Sequence, residues 1–178
     1  MKERVKALFF NHTLKRWHFK TLLEESEISR ERLNHFLKQL VKENFIKRIK
    51  PKGKMPYYLT NRETAKFRFE KRIYGLKLLE GLFEHLNTCK GINTAILFGS
   101  FSRGDWSISS DIDIFIYGND SEVEKSKFED ILGREIQLFT YENTKKMKKN
   151  LDPKVIHNIV KGFQITDSLE PFEVTINA

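Results

Sequence analysis

The spacing of apolar residues switches along this chain between helical and strand-like periods, and each switch predicts an element. Residues 3–11 place Val5, Leu8 and Phe9 on one helical face, and Phe19, Leu22 and Leu23 predict a second helix at about 17–26. After a turn at Ile28-Ser29, Ser29 suits the N-cap of a third helix, although Arg32 at the fourth position leaves the capping box incomplete. Leu33, Phe36, Leu37, Leu40 and Val41 give that helix a one-sided apolar stripe. Phe45–Ile49 and Met55–Leu59 read as two short strands around Pro51-Lys52-Gly53-Lys54, a hairpin. Asn61 suits the cap of a long helix over 62–88, striped by Ile73, Leu76, Leu79, Phe83 and Leu86, with Gly91 available as its C-terminal cap.

The second half begins with a buried strand, Ala95-Ile96-Leu97-Phe98, broken by Gly99-Ser100. A second strand follows at Ile112–Ile116. Side chains alternate across a strand, so Asp111 and Asp113 point one way while Ile112, Ile114 and Ile116 point into a core. Tyr117–Asp120 is a turn. Residues 121–132 predict an acidic helix with Val123, Phe128, Ile131 and Leu132 inward, ended by Gly133. Arg134–Phe139 is a third strand and 145–150 a basic helical segment. Asp152-Pro153 opens a last helix with Val155, Ile156, Ile159 and Val160 inward, because proline suits the first helical turn. Phe163–Ile165 is a short closing strand.

Charge divides the chain as well. Residues 1–90 hold 22 Lys and Arg against 10 Asp and Glu, a net +12; residues 91–178 hold 10 against 14, a net −4. This predicts a basic module for a polyanion joined to an acidic module with a metal site; a lysine-rich solubilising surface is the plainer alternative. The 178 residues suffice for one domain or two small ones, with fifteen phenylalanines supplying core volume. A single cysteine, Cys89, excludes an internal disulfide framework and fits a reducing compartment. The longest apolar runs are too short for a membrane span, and the N-terminal one is too interrupted for a signal peptide, so a cytoplasmic protein is expected. There is no P-loop, the five histidines show no metal-ligand spacing, and Cys89 has no base nearby in sequence.

Two acids on one face of a buried strand are costly, since burial and mutual repulsion both disfavour the charged forms. A divalent cation relieves both costs, and Mg²⁺ binds through one or two carboxylates plus substrate phosphates. Gly99-Ser100 offers the phosphate side: close backbone approach, N–H groups and a hydroxyl. Arg103 adds charge if it faces inward.

Gly99-Ser100, ten residues, then Asp111-x-Asp113, with Arg103-Gly104-Asp105 between, resembles the signature of the DNA polymerase β-type nucleotidyltransferase superfamily, and its minimal members above all. The resemblance covers about Ile92 to Thr166. Three helices and a basic hairpin before it look like a winged helix-turn-helix. Together they imply an α+β protein: a winged helix-turn-helix at 1–60, a connecting helix at 61–90 and a nucleotidyltransferase domain at 91–178 with a small mixed sheet. The implied reaction moves a nucleoside monophosphate from a triphosphate such as ATP onto a hydroxyl of a nucleic-acid or protein acceptor. It implies Mg²⁺ or Mn²⁺ as two ions about 3.5–4 Å apart. Asp111 and Asp113 would be catalytic and metal-binding, and Gly99, Ser100 and Arg103 nucleotide-binding. Active members carry a third carboxylate on the next strand. Here that place falls on Gln137 or, by reach along the strand, on Glu135. In the winged-helix reading Arg30, Arg32, Asn34 and Lys38 of the third helix, with Arg48, Lys50, Lys52 and Lys54 of the hairpin, would contact double-stranded DNA. The alternative is a DNA-binding regulator whose transferase-like domain senses nucleotide or is inactive. A homodimer through the long helix is a further expectation.

Overall fold

Apolar residues at helical spacing build the first unit of the fold around a small sheet. The computed structural model describes residues 1–172 and divides into two units, Met1–Lys71 and Arg72–Ala178. Residues 173–178, counted in the expected C-terminal domain, lie outside the described residues.

In the first unit the order is α1 (Lys2–Asn11), β1 (Trp17–His18), α2 (Phe19–Ser26), α3 (Arg30–Lys42), β2 (Ile46–Ile49) and β3 (Tyr57–Thr60). Ser29 caps α3, its Oγ accepting from Arg32 N at 3.4 Å. The strands form an antiparallel sheet in the order β1-β3-β2. The strand β1 corrects the expected helix at 17–26: Trp17 and His18 pair with Tyr58 and Tyr57, and the helix starts at Phe19. Aromatic side chains fit a pleated sheet, and Trp17 is fully buried, edge-on to Phe9. Phe10, Phe45 and Phe67 pack ring against ring at 5.0–5.5 Å to fill the centre with Val5, Leu22, Leu33, Leu37 and Leu40.

The expected single helix over 61–90 is two helices, α4 (Ala65–Leu78) and α5 (Glu80–Thr88). At Leu79 the N–H bonds Leu76 O three residues back, a tightened turn that ends α4. Leu79, Leu82 and Leu86 are buried, α5 packing on strand β4 (Ile92–Phe98), whereas Ile73 is exposed. Thr64, not Asn61, caps α4: its Oγ1 accepts from Phe67 N at 3.2 Å, while Asn61 Nδ2 donates to Asn44 O. Gly91 is no cap either. It lies against the backbone of Asn119, whose N–H it accepts at 2.8 Å, and an added Cβ would meet Asn119 O.

The second unit continues with α6 (Gly99–Arg103), β5 (Ile112–Gly118), α7 (Lys125–Leu132), β6 (Ile136–Tyr141), α8 (Thr144–Asn150), α9 (Pro153–Val160) and β7 (Phe163–Gln164). The mixed sheet runs β6-β5-β4-β7: β4 is antiparallel to β5 and β7, and β5 is parallel to β6. Both faces of β5 are buried, with Ile112, Ile114 and Ile116 on one and Phe115 and Tyr117 on the other, which explains its nearly unbroken apolar run. Phe115 and Tyr117 join Ile96, Phe98, Met147, Leu151 and Ile159 in one core cluster. Helix α9 opens at Asp152-Pro153 as expected, with Pro153 in its first turn, and Asp152 caps it by accepting from Lys154 N. Helix α7 is shorter than expected and buries Phe128, while Ile131 stays 66% exposed; on α9, Val160 is likewise outside the core at 58%. Strand β6 starts at Ile136, leaving Arg134 and Glu135 before it.

Candidate functional site

The bend after β4 and the start of β5 meet because these strands are antiparallel neighbours with Phe98 opposite Asp113. Gly99 then turns the chain at φ +69°, a backbone state that favours glycine. It also lies so close to Asp113 that an added Cβ would overlap Oδ2 and stand 2.9 Å from Cγ. The bend opens α6, and Ser102 Oγ closes it by donating to Gly99 O at 3.2 Å. Ser100 O accepts from Gly104 N and Asp105 N.

Asp111 stands just before β5 and Asp113 within it, in the row that continues through the buried Phe115 and Tyr117. On the other side of β5, Gln137 of β6 is the register partner of Asp113. Its Nε2 donates to Asp111 Oδ2 at 2.8 Å. A carboxylate only accepts, so the amide nitrogen must face it. The two acids therefore share one side of the sheet. Among the described residues neither is in a salt bridge. Burial pushes the Asp113 carboxyl above its ordinary pKa, the like charge of Asp111 adds to this, and Arg103 partly offsets it. Arg103 itself is exposed and pairs with Asp105 at 3.1 Å rather than turning onto the acids.

Residues 80–167 match the family model Polbeta, described as Polymerase beta, Nucleotidyltransferase. This segment is a polymerase β-type nucleotidyltransferase domain. Gly99, Ser100, Asp111, Asp113 and Gln137 all lie in it, and so does α5, which the expected boundary at 91 had left outside. No curated protein matches the chain at a significant level.

Within the nucleotidyltransferase domain the donor set suits one hard cation. Asp111 and Asp113 offer two carboxylates whose mutual repulsion and burial a dication would relieve, beside the Gly99 bend that closes onto Asp113. It does not suit a second cation as well. Among the described residues no three His, Cys, Asp or Glu side chains gather as a metal-binding group. Gln137 puts a neutral amide beside Asp111, and Glu135 is exposed, its backbone carbonyl accepting from Ile112 N at 2.9 Å.

Sequence reasoning missed Arg134. Its Nη1 donates to Ser107 O, Ile108 O and Ser110 O at 2.8, 2.8 and 3.0 Å, and the guanidinium lies 5.2 and 5.3 Å from the ring centroids of Phe101 and Trp106. The one available signal was that Arg103 and Arg134 are the only arginines after residue 90.

In the first unit Arg30, Arg32, Asn34, Lys38, Arg48, Lys50, Lys52 and Lys54 are all exposed. Arg30, Asn34 and Lys38 recur every four residues on one side of α3 and face Arg48 of β2 across two adjoining cavities of about 440 and 360 Å³. Arg32 lies apart, its Nη1 donating to Met1 Sδ. Seven of the unit's glutamates pair with Lys2, Arg4, Lys6, Lys15, Lys20, Arg62 and Lys66. Among the described residues the cations of α3 and the hairpin form no ion pair. Glu31, beside Arg30, is the acid that shares their surface.

Proposed function

We propose that Asp111 and Asp113 hold one divalent cation, Mg²⁺ or Mn²⁺, with a nucleoside triphosphate such as ATP, and that this site transfers a nucleoside monophosphate to a hydroxyl on a nucleic-acid or protein acceptor. The observation that carries this reading is the closure of Asp113 onto Gly99 with Asp111 alongside, which no ordinary turn requires. The cation, when bound, offsets phosphate charge and steadies the pyrophosphate that leaves. Gly99 and Ser100 approach the phosphates through backbone N–H groups and the Ser100 hydroxyl. Asp111 keeps one oxygen on Gln137, so its orientation is set before any ligand arrives. Labelled AMP should pass from ATP to acceptor in the presence of Mn²⁺, and Asp111→Asn or Asp113→Asn should abolish it.

The first unit, in this proposal, is a winged helix-turn-helix that binds duplex DNA through α3 and the β2–β3 hairpin. The element order and the unpaired cations on that surface support it. A second reading is favoured by Gln137: with an amide where another carboxylate would activate the acceptor, the domain binds nucleotide without transferring it and the first unit acts as a regulator. ATP bound with Mn²⁺ but no label passed to nucleic acid or protein would decide for this reading.

A further inference from the structure

We propose that Arg134 is a positioning residue for the Asp111–Asp113 pair. The proposal rests on the cation site of the preceding reading. One guanidinium nitrogen gathers three carbonyls, those of Ser107, Ile108 and Ser110, and the last is adjacent to Asp111. The same loop is drawn together by Ser107 N donating to Ser110 Oγ at 2.8 Å. The guanidinium carbon lies 5.2 Å from the ring centroid of Phe101, in α6, and 5.3 Å from that of Trp106, whose ring stacks on Phe101 with planes 4° apart. Arg134 thus ties the phosphate-side helix and the loop entering β5 to a single rigid group. Partial burial pushes its pKa down, and among the described residues no carboxylate pairs with it. Tyr74 partly offsets this, and a half-buried cation held by carbonyl dipoles rather than a carboxylate is costly. A planar fork meets several acceptors at once in a way the rotating ammonium of lysine does not.

The test uses the full chain with Mn²⁺ alone as probe, and amide exchange of residues 105–111 without any ligand. Arg134→Met is expected to speed exchange in that loop and to weaken Mn²⁺ binding by roughly 10–100-fold, the usual effect of removing a group that orients metal ligands. Arg134→Lys keeps charge and bulk, so it guards against a simple folding failure, and it is expected to resemble Arg134→Met. Millimolar guanidinium added to Arg134→Ala should restore Mn²⁺ binding where equal KCl does not. Unchanged exchange and affinity in Arg134→Met overturn the proposal. So does a loosened loop with unaltered affinity, or a lysine variant equal to wild type. If wild type itself binds no Mn²⁺, the cation site fails and the positioning role falls with it, an outcome distinct from wild-type binding that ignores residue 134.

Discussion

Gln137 Nε2 donates to Asp111 Oδ2 at 2.8 Å, and Gln137 is also the register partner of Asp113. One neutral side chain therefore touches one acid and stands level with the other. The amide orients Asp111 but adds no charge. Gln137→Glu should supply a third carboxylate of nearly the same length. Tighter Mn²⁺ binding is expected, by about tenfold, the low end of what a metal-site partner is worth. A titration followed by the spectrum of free Mn²⁺ measures it. Equal or weaker binding would mean that position 137 faces no cation.

Gly99→Ala tests the bend. At φ +69° an alanine costs about 1–2 kcal/mol in backbone strain alone. Its methyl would also displace the Asp113 carboxylate. A lower Tm with loss of Mn²⁺ and ATP binding is expected, beyond what the fall in stability explains at a temperature where the variant is folded. Retained ATP affinity would show that Asp113 can move without consequence.

Asp113 gives a pH dependence with a definite sign. Its pKa is raised in the folded chain, chiefly by burial and then by Asp111, so the folded state holds this proton more tightly than the unfolded one. The stability of the protonated form is fully present below the ordinary carboxylate pKa and is lost as pH rises through the raised value. Asp113→Asn keeps shape and removes the charge. Without divalent cations the variant should melt higher than wild type at pH 7, and the gap should close below about pH 4, near the ordinary pKa of aspartate. Adding Mn²⁺ should raise the wild-type Tm and leave the variant unmoved. A variant less stable than wild type at neutral pH would contradict the assignment.

The shared side of Asp111 and Asp113 was legible because its signals are local. A strand buried on both faces leaves few places for acids, and period two puts Asp111 and Asp113 on one side. Strand β1 was not legible: two residues, Trp17 and His18, are held extended by Tyr57 and Tyr58 some forty positions later. The break at Leu79 was hidden because an apolar stripe continues through it. Stripes also overstated burial, since Ile131 and Val160 have the right spacing but lie on helices of eight residues that bury narrower faces. Arg134 left no pattern at all, because its partners are backbone carbonyls, which any loop sequence supplies.

The proposed DNA surface is tested by salt. Each phosphate neutralised by a cation contributes about −0.9 to the slope of log K against log salt for duplex DNA. Lys50, Lys52 and Lys54 are exposed and, among the described residues, unpaired, so Lys50→Ala/Lys52→Ala/Lys54→Ala should flatten the slope and weaken binding across all sequences. Arg48 lies between the two cavities along α3, and Arg48→Ala should weaken binding more than any one of these lysines. Lys20 serves as the control: it is exposed, lies within 4.0 Å of Glu24 and lines neither cavity, and Lys20→Ala should change neither slope nor affinity. Fluorescence anisotropy with a labelled duplex between 50 and 200 mM salt reads both, a range over which several phosphate contacts change affinity by roughly 10³-fold or more. Equal losses from Lys20→Ala and the hairpin variant would indicate diffuse attraction to a basic chain rather than a surface built by α3 and the hairpin.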